Sequence, residues 1–256
     1  MSAERLALAN QAVRETFEQC SIVWQAIPHW DTGDPGQIRV ADGIVSPPGF
    51  LPLLPQEEKF QLTLAQANAP TPDSLLTEVM AVTKNLAKTV DDDVLQKLYA
   101  KTAPKTITKA TITPVDLQDP LIDARADVEN AGYRAPSCLV TNTVGLKKLN
   151  ELVSGYYSVL QQLLSAANVN ALHRSQPLDP PDSKTRLVLI GRRRRIPQGA
   201  AAEASPGEEP VDLAVSLLPS LEVVGETGTG EIELSARIRY ATRITDAAGL
   251  VAIKHA

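Results

Sequence analysis

The chain has 256 residues, of which 43% are hydrophobic and 21% charged, with a net charge of −5 at neutral pH. These are ordinary globular values, so the chain is not disordered as a whole, and the acidic balance argues against a dedicated nucleic-acid-binding domain, which is usually basic. Two cysteines, an N-terminus MSAERLALAN without a long apolar stretch and the lack of any continuous apolar run of membrane-spanning length exclude a disulfide framework, a signal peptide and a membrane helix from the expectations, and a cytosolic setting follows.

From Ser2 to Trp24 the apolar residues Leu6, Ala9, Val13, Phe17, Cys20 and Trp24 recur at spacings of three and four. This predicts one amphipathic helix capped by Ser2, with Cys20 on its apolar stripe. Pro28 to Pro55 is dense in proline and glycine, which forbids helix and a central strand and predicts an extended excursion. Phe60, Leu62 and Leu64 alternate with polar residues, predicting a strand over Glu58–Ala67. Asp73 then opens the longest helix. Leu75, Val79, Val82, Leu86, Val90, Val94 and Leu98 form its stripe, and the triplet Asp91-Asp92-Asp93 reads as a solvated face because adjacent carboxylates diverge around a helix.

Lys101–Pro114 reads as strand or connector. Asp119 and Pro120 predict a helix start, with Asp as cap and Pro at the first position, and Gly132 a left-handed stop. SCLVTN reads as a buried strand containing Cys138. TVGLKKLNEL reads as a helix burying Leu146, Leu149 and Leu152, and residues 155–168 as a further helix with Leu160, Leu163 and Leu164 inward. Strands are predicted at Arg186–Ile190, at Asp212–Leu218 and at LEVV. The strongest signal is the alternation of Ile232, Leu234, Ala236, Ile238 and Tyr240 with polar residues, joined to LEVV by a GETGTG hairpin turn. A last turn and strand, DAAGLVAI, complete an α+β order.

Catalytic signatures are scarce. His29, His173 and His255 share no paired spacing, no nucleophile elbow or phosphate loop is present, and Asp31 and Asp34 near His29 read as turn residues rather than metal ligands. No cofactor, metal site or catalytic set is predicted, and the protein is not expected to be an enzyme. The stretch GRRRRIPQGAAAEASPGEEP, Gly191 to Pro210, invites a nucleic-acid reading. Glu203, Glu208 and Glu209 offset its arginines, and the strands on either side favour a long polar hairpin or disordered loop, with inter-subunit salt bridging or nucleic-acid contact as lesser readings.

Four stretches carry a family likeness: MAVTKNLAKTVDDDVLQKLY, PLIDARADVENAGYRAPSCLVTNTVGLKKLNEL, DLAVSLLPSLEVVGE and IELSARIRYATRITDAAGLVAI. In that order and spacing the chain resembles the capsid fold shared by encapsulin shell proteins and tailed-phage major capsid proteins, the HK-ninety-seven type. The resemblance implies an N-terminal helix or arm (1–27), an extended loop and strand (28–70), a peripheral domain with a spine helix (71–118), an apical domain (119–220) and closing strands (221–256). It implies a self-assembling icosahedral shell whose main partner is the chain itself. Because the N-terminus looks helical at once and the chain is short, an encapsulin-like nanocompartment is favoured over a phage or prophage capsid enclosing DNA. A cargo protein would then dock on the inner wall, with Leu6, Val13 and Phe17 of the N-terminal helix as candidate cargo-facing residues. DNA is a partner only for the phage reading, and no membrane is. The arginine stretch has no counterpart in the family. An unrelated α+β enzyme or small-molecule binder is the remaining alternative.

Overall fold

The computed structural model describes residues 1–44, 47–102, 104–109, 111–153, 157–179, 184–192 and 209–256. The N-terminal stripe folds as two helices, α1 (Ala3–Cys20) and α2 (Ile22–Ala26), rather than the single one expected. Ser2 does cap α1, accepting from Arg5 N. Ser21 breaks the helix in extended conformation: its amide ends α1 on Phe17 O, and its hydroxyl caps α2 by accepting from Trp24 N. A serine at the boundary supplies both functions, and periodicity alone does not reveal it.

The proline-rich excursion holds three short strands, β1 (His29–Asp31), β2 (Arg39–Ala41) and β3 (Phe50–Pro52), followed by β4 (Leu54–Thr63). The expected strand over Glu58–Ala67 is shifted: Thr63 caps a short helix α3 (Leu64–Ala67), and Leu64 is exposed instead of inward. Then comes α4 (Asp73–Lys101), 29 residues or about 43 Å at 1.5 Å per residue. Six of its seven predicted stripe residues are fully buried and Val82 is half-buried.

After α4 the chain forms β5 (Pro104–Ile107), α5 (Gln118–Asn130), β6 (Arg134–Thr141), α6 (Thr143–Asn150), β7 (Leu152–Val153), β8 (Tyr157–Ser158), α7 (Leu160–Ala166) and β9 (Val169–Arg174). Asp119 is not the cap of α5, because a 3-10 turn at Pro114–Leu117 feeds the helix directly and starts it two residues earlier. Gly132 has φ +88°, the left-handed stop expected. Of the predicted helix over 155–168, positions 155 and 156 lie outside the described residues, Tyr157–Ser158 form β8, and the helix is α7. Leu163 is buried, Leu160 and Leu164 are half-buried, and Leu152 lies on β7 at 55% exposed.

The remaining strands are β10 (Arg186–Arg192), β11 (Val211–Glu226), β12 (Glu231–Ile244) and β13 (Leu250–His255). The two strands expected between Asp212 and LEVV are one, carried across Pro219 by register shifts between Val215 and Gly225. That is how a proline is tolerated in a long strand. Thr227–Gly230 closes the hairpin, with Thr227 N on Glu231 O at 2.8 Å and Gly230 at φ +78°.

Two sheets organise these strands. One runs β1-β11-β12-β4, and the other β5-β13-β10-β6-β9. The first lays Leu213, Val215, Leu234, Ala236, Ile238 and Tyr240 against α1 and α4. The second is buried on both faces at its centre, so β10 and the apolar stretches of β6 and β13 read as unbroken apolar runs. Leu187 and Leu189 meet α5 and α7 in one cluster, while Val188 and Ile190 join the main core on the other side.

The strands that flank the arginine-rich stretch, β10 and β11, are not hairpin partners and belong to different sheets. The stretch links the two, and residues 193–208 lie outside the described residues. Its ends are anchored within the subunit. Arg192 Nη1 donates to Ala26 O at 3.1 Å, and Pro210 O and Glu209 O accept from Thr245.

Asp91 and Asp93 correct the solvated-face reading of the triplet, which holds for Asp92 alone. The Asp91 carboxylate is buried and accepts from Ser21 Oγ (2.7 Å), Ile22 N (2.9 Å) and Val23 N (3.1 Å). It caps α2 and ties that helix to α4. Asp93 accepts from Tyr240 OH at 2.9 Å and from Lys97. Burial pushes the Asp91 carboxyl up to about 6, against the lowering effect of its Ser21 and backbone donors and with a further push from Asp92. A raised acid stabilises the fold below its unfolded pKa of about 4, and that contribution is lost as pH rises through about 6. From pH 7 down to pH 4 the parent should therefore gain up to about 3 kcal/mol of unfolding free energy relative to Asp91→Asn. Urea unfolding of both proteins at the two pH values measures it; an unchanged difference would show that Asp91 does not titrate in this window.

Candidate functional site

The predicted cargo-facing residues sit on α1 but do not all face outward. Val13 and Phe17 are fully buried among α1, α4 and the first sheet, and Leu6 is half-buried against the same core. Phe17 meets Trp24 edge-on, with centroids 5.4 Å apart. The periodic stripe found in the sequence is thus the face this helix presents to its own subunit. The opposite face, with Leu8, Gln11 and Glu15, is the one open to a partner.

The exposed feature of the molecule is the arm built from β2 and β3. Short polar side chains turn it: Asp31, Asp34 and Asp42 each accept from an amide two residues on, at Gly33, Gly36 and Ile44. Gly33 and Gly43 take the positive φ that these turns need. Asp31 and Asp34 are turn residues, as expected. His29 stacks on Trp24 at 3.7 Å, and burial lowers its pKa. Among the described residues no three His, Cys, Asp or Glu side chains converge to hold a metal ion. Both cysteines are free, and burial pushes the Cys138 thiol up to about 11.

The base of the arm is held by a node that the sequence does not advertise. Arg243 and Asp212 form a buried bidentate pair, with both contacts at 2.7 Å. Trp30 Nε1 donates to the same carboxylate at 3.1 Å and offers its ring to the guanidinium at 4.9 Å. Arg243 Nη1 reaches across to Ala41 O on β2 at 3.1 Å. Val40 and Leu53 pack beside it on Ala214 and Ala241. An aspartate at the head of the apolar run DLAVSLL is the one local hint, since a carboxylate entering such a strand needs a partner.

Beyond this base the arm leaves its apolar side chains bare. Phe50 is 74% exposed and Ile38 67%. A cavity of about 370 Å³ opens beside the base, with Leu51, Leu54, Tyr240 and Ile244 on its walls and Lys97 and Lys101 among its polar groups. Locked at its root and bare along its length, the arm is suited to contact another molecule rather than to catalyse.

No protein-family model matches the chain, and no curated protein matches it in sequence. Solved structures do match. The chain is similar to a virus-like particle from Pyrococcus furiosus, at 14% identity over 98% of this chain and 100% of that one, with a TM-score of 0.69. It is similar to the holo-SrpI encapsulin complex of Synechococcus elongatus, at 10% identity over 92% and 88% of the two chains, TM-score 0.61. A third is the capsid of an empty GTA particle, at 10% identity over 93% and 90%, TM-score 0.64. Identities this low speak for the fold, and the coverage extends it to nearly the whole chain: this protein has the α+β capsid fold of encapsulin shells and phage major capsid proteins, the HK-ninety-seven type.

Proposed function

We propose that the chain is a structural shell subunit, many copies of which close into an icosahedral encapsulin-like compartment. The observation that carries this reading is the arm. Its root is fixed by a buried ion pair while Phe50 and Ile38 stand in solvent, where their apolar surface contributes nothing to the packing of one subunit. A second copy supplies the missing apolar surface, through contacts of the heterologous kind that close around rotation axes. Obligate interfaces of this type bury from about 2,000 to over 5,000 Å². The division into a peripheral unit around α4 and an apical unit around α5–α7 belongs to the same reading. So does its non-enzymatic character. The compartment is favoured over a DNA-filled capsid because α1 lies packed on its own subunit. A cargo protein would meet the outward face of α1, by Leu8, rather than Val13 or Phe17.

Size-exclusion chromatography and negative-stain microscopy test the proposal. Hollow megadalton particles are expected. A discrete monomer or dimer at micromolar concentration would overturn it, and encapsidated DNA would transfer it to the phage capsid. Phe50→Asp should leave the subunit folded, with an unchanged circular dichroism spectrum, and shift it to small species. Assembly of that variant as efficient as the parent's would remove the arm from the interface.

A further inference from the structure

A second cavity, of about 350 Å³, lies where the α1–α2 joint, the middle of α4 and the chain leaving β9 come together. Lys84, Lys88 and Asp91 line it from α4, at spacings of four and three that place them on one stripe. Arg174, at the end of β9, lines it from the opposite element, with Gln176 beside it and Asn85 completing the α4 side.

The charges here are unbalanced. Among the described residues Asp91 is the one carboxylate on the wall, and both of its oxygens are already taken by Ser21 and the first amides of α2. Neither lysine forms an ion pair with any described residue. Two lysines one turn apart repel each other, whereas the Arg174 guanidinium is offset by its ion pair with Asp179. Arg174 is held in place without a ligand: Nε donates to Thr143 Oγ1 at 2.9 Å and Nη2 to Asp179 Oδ2 at 3.0 Å. The segment that carries Gln176 is pinned to α4 where Gln96 donates to Pro177 O at 2.9 Å. The remaining guanidinium nitrogen of Arg174, two ammonium groups and two side-chain amides around one cavity form a set rich in donors, whose one carboxylate among the described residues is already satisfied.

We infer that this cavity binds a multiply charged oxyanion of the phosphate class. The ammonium groups of Lys84 and Lys88 neutralise it, and Arg174 orients it. A free small phosphate and a nucleic-acid backbone present the same oxygens, so the experiment separates them.

Isothermal titration of the purified protein with pyrophosphate, and separately with a short single-stranded thymidylate oligomer, is the test. Salt of about 0.15 M screens the exposed charges elsewhere. One saturable site per subunit is expected, weakened about tenfold or more in Lys84→Gln/Lys88→Gln and unchanged in a Lys147→Gln control. Both lysines are exposed on α4, so the double variant should keep its fold, which circular dichroism checks. Pyrophosphate binding that is lost in the double variant identifies a small-phosphate site. Loss of oligomer binding alone identifies the backbone as the source. Absence of binding, or binding that the double variant retains, overturns the inference.

A second readout uses sulfate, whose charge is constant over the relevant range. Around Asp91 are Asp92, Lys84 and Lys88 on α4, Cys20 on α1, Ser21 at the joint, Arg174 on β9 and Tyr240 on β12; α2 contributes backbone amides. When pH falls from about 7 to about 5, Asp91 takes up a proton and the cavity becomes more positive. Sulfate should therefore bind more tightly at the lower pH in the parent and respond less in Asp91→Asn. Affinity that falls with pH in the parent would also overturn the site.

Discussion

Arg243→Met is expected to cost about 3–5 kcal/mol of unfolding free energy, because it removes one partner of a buried ion pair and leaves the other behind. Asp212 would stay enclosed between β1 and β12 without its cation, the Trp30 indole still donating to it. Ala41 O would lose its donor, and the Trp30 ring its cation. The pair is not itself a large source of stability, since desolvating both ions offsets most of their attraction. Arg243→Met/Asp212→Leu should accordingly recover most of the loss. Urea unfolding, compared by midpoint at constant slope, measures both variants. A single variant within about 0.5 kcal/mol of the parent would mean that the node is solvated. Because Arg243 also holds β2, particle yield should fall with the single variant even where the subunit remains folded.

Phe17→Ala decides between two accounts of the N-terminal helix. If Phe17 faced a cargo protein, truncation would spare the subunit and weaken cargo retention. Its burial against Trp24 and the core predicts instead a loss of about 3–5 kcal/mol, the usual cost of emptying an aromatic site. Leu8→Asp on the outward face is the complement. It should leave stability within about 0.5 kcal/mol and act on partner retention. Equal stability of the Phe17→Ala protein and the parent would return Phe17 to the candidate partner surface.

Much of the architecture was legible where one element carries its own signal. β12 announced itself by alternation because one of its faces lies on α4 and the other does not. The long stripe from Leu75 to Leu98 had one solution, a helix laid along a core. Gly132 was readable because only glycine suits its backbone conformation. What stayed hidden depends on residues far apart in the chain. β9, with the mixed sequence VNALHR, forms because β6 offers it an edge. Asp91 looked like solvent-facing charge until Ser21 and two amides, some 70 residues earlier, closed over it. The arm's anchor joins Trp30, Asp212 and Arg243, none of which is near another in sequence except through the sheet.

Periodicity and turn chemistry are local quantities. They were enough to establish the long helix α4, the main strands, the extended excursion and, through their order, the likeness to a shell fold. The sequence also placed Leu6, Val13 and Phe17 on one stripe. Whether that stripe meets the subunit's own core or another protein depends on what lies opposite it, and only the packing of α1 on α4 answered that. The same holds for the arginine stretch. Two flanking strands suggested a hairpin, and only the fold shows that they belong to different sheets. Strand partners are chosen by the whole fold, because an edge must be satisfied by whichever backbone reaches it.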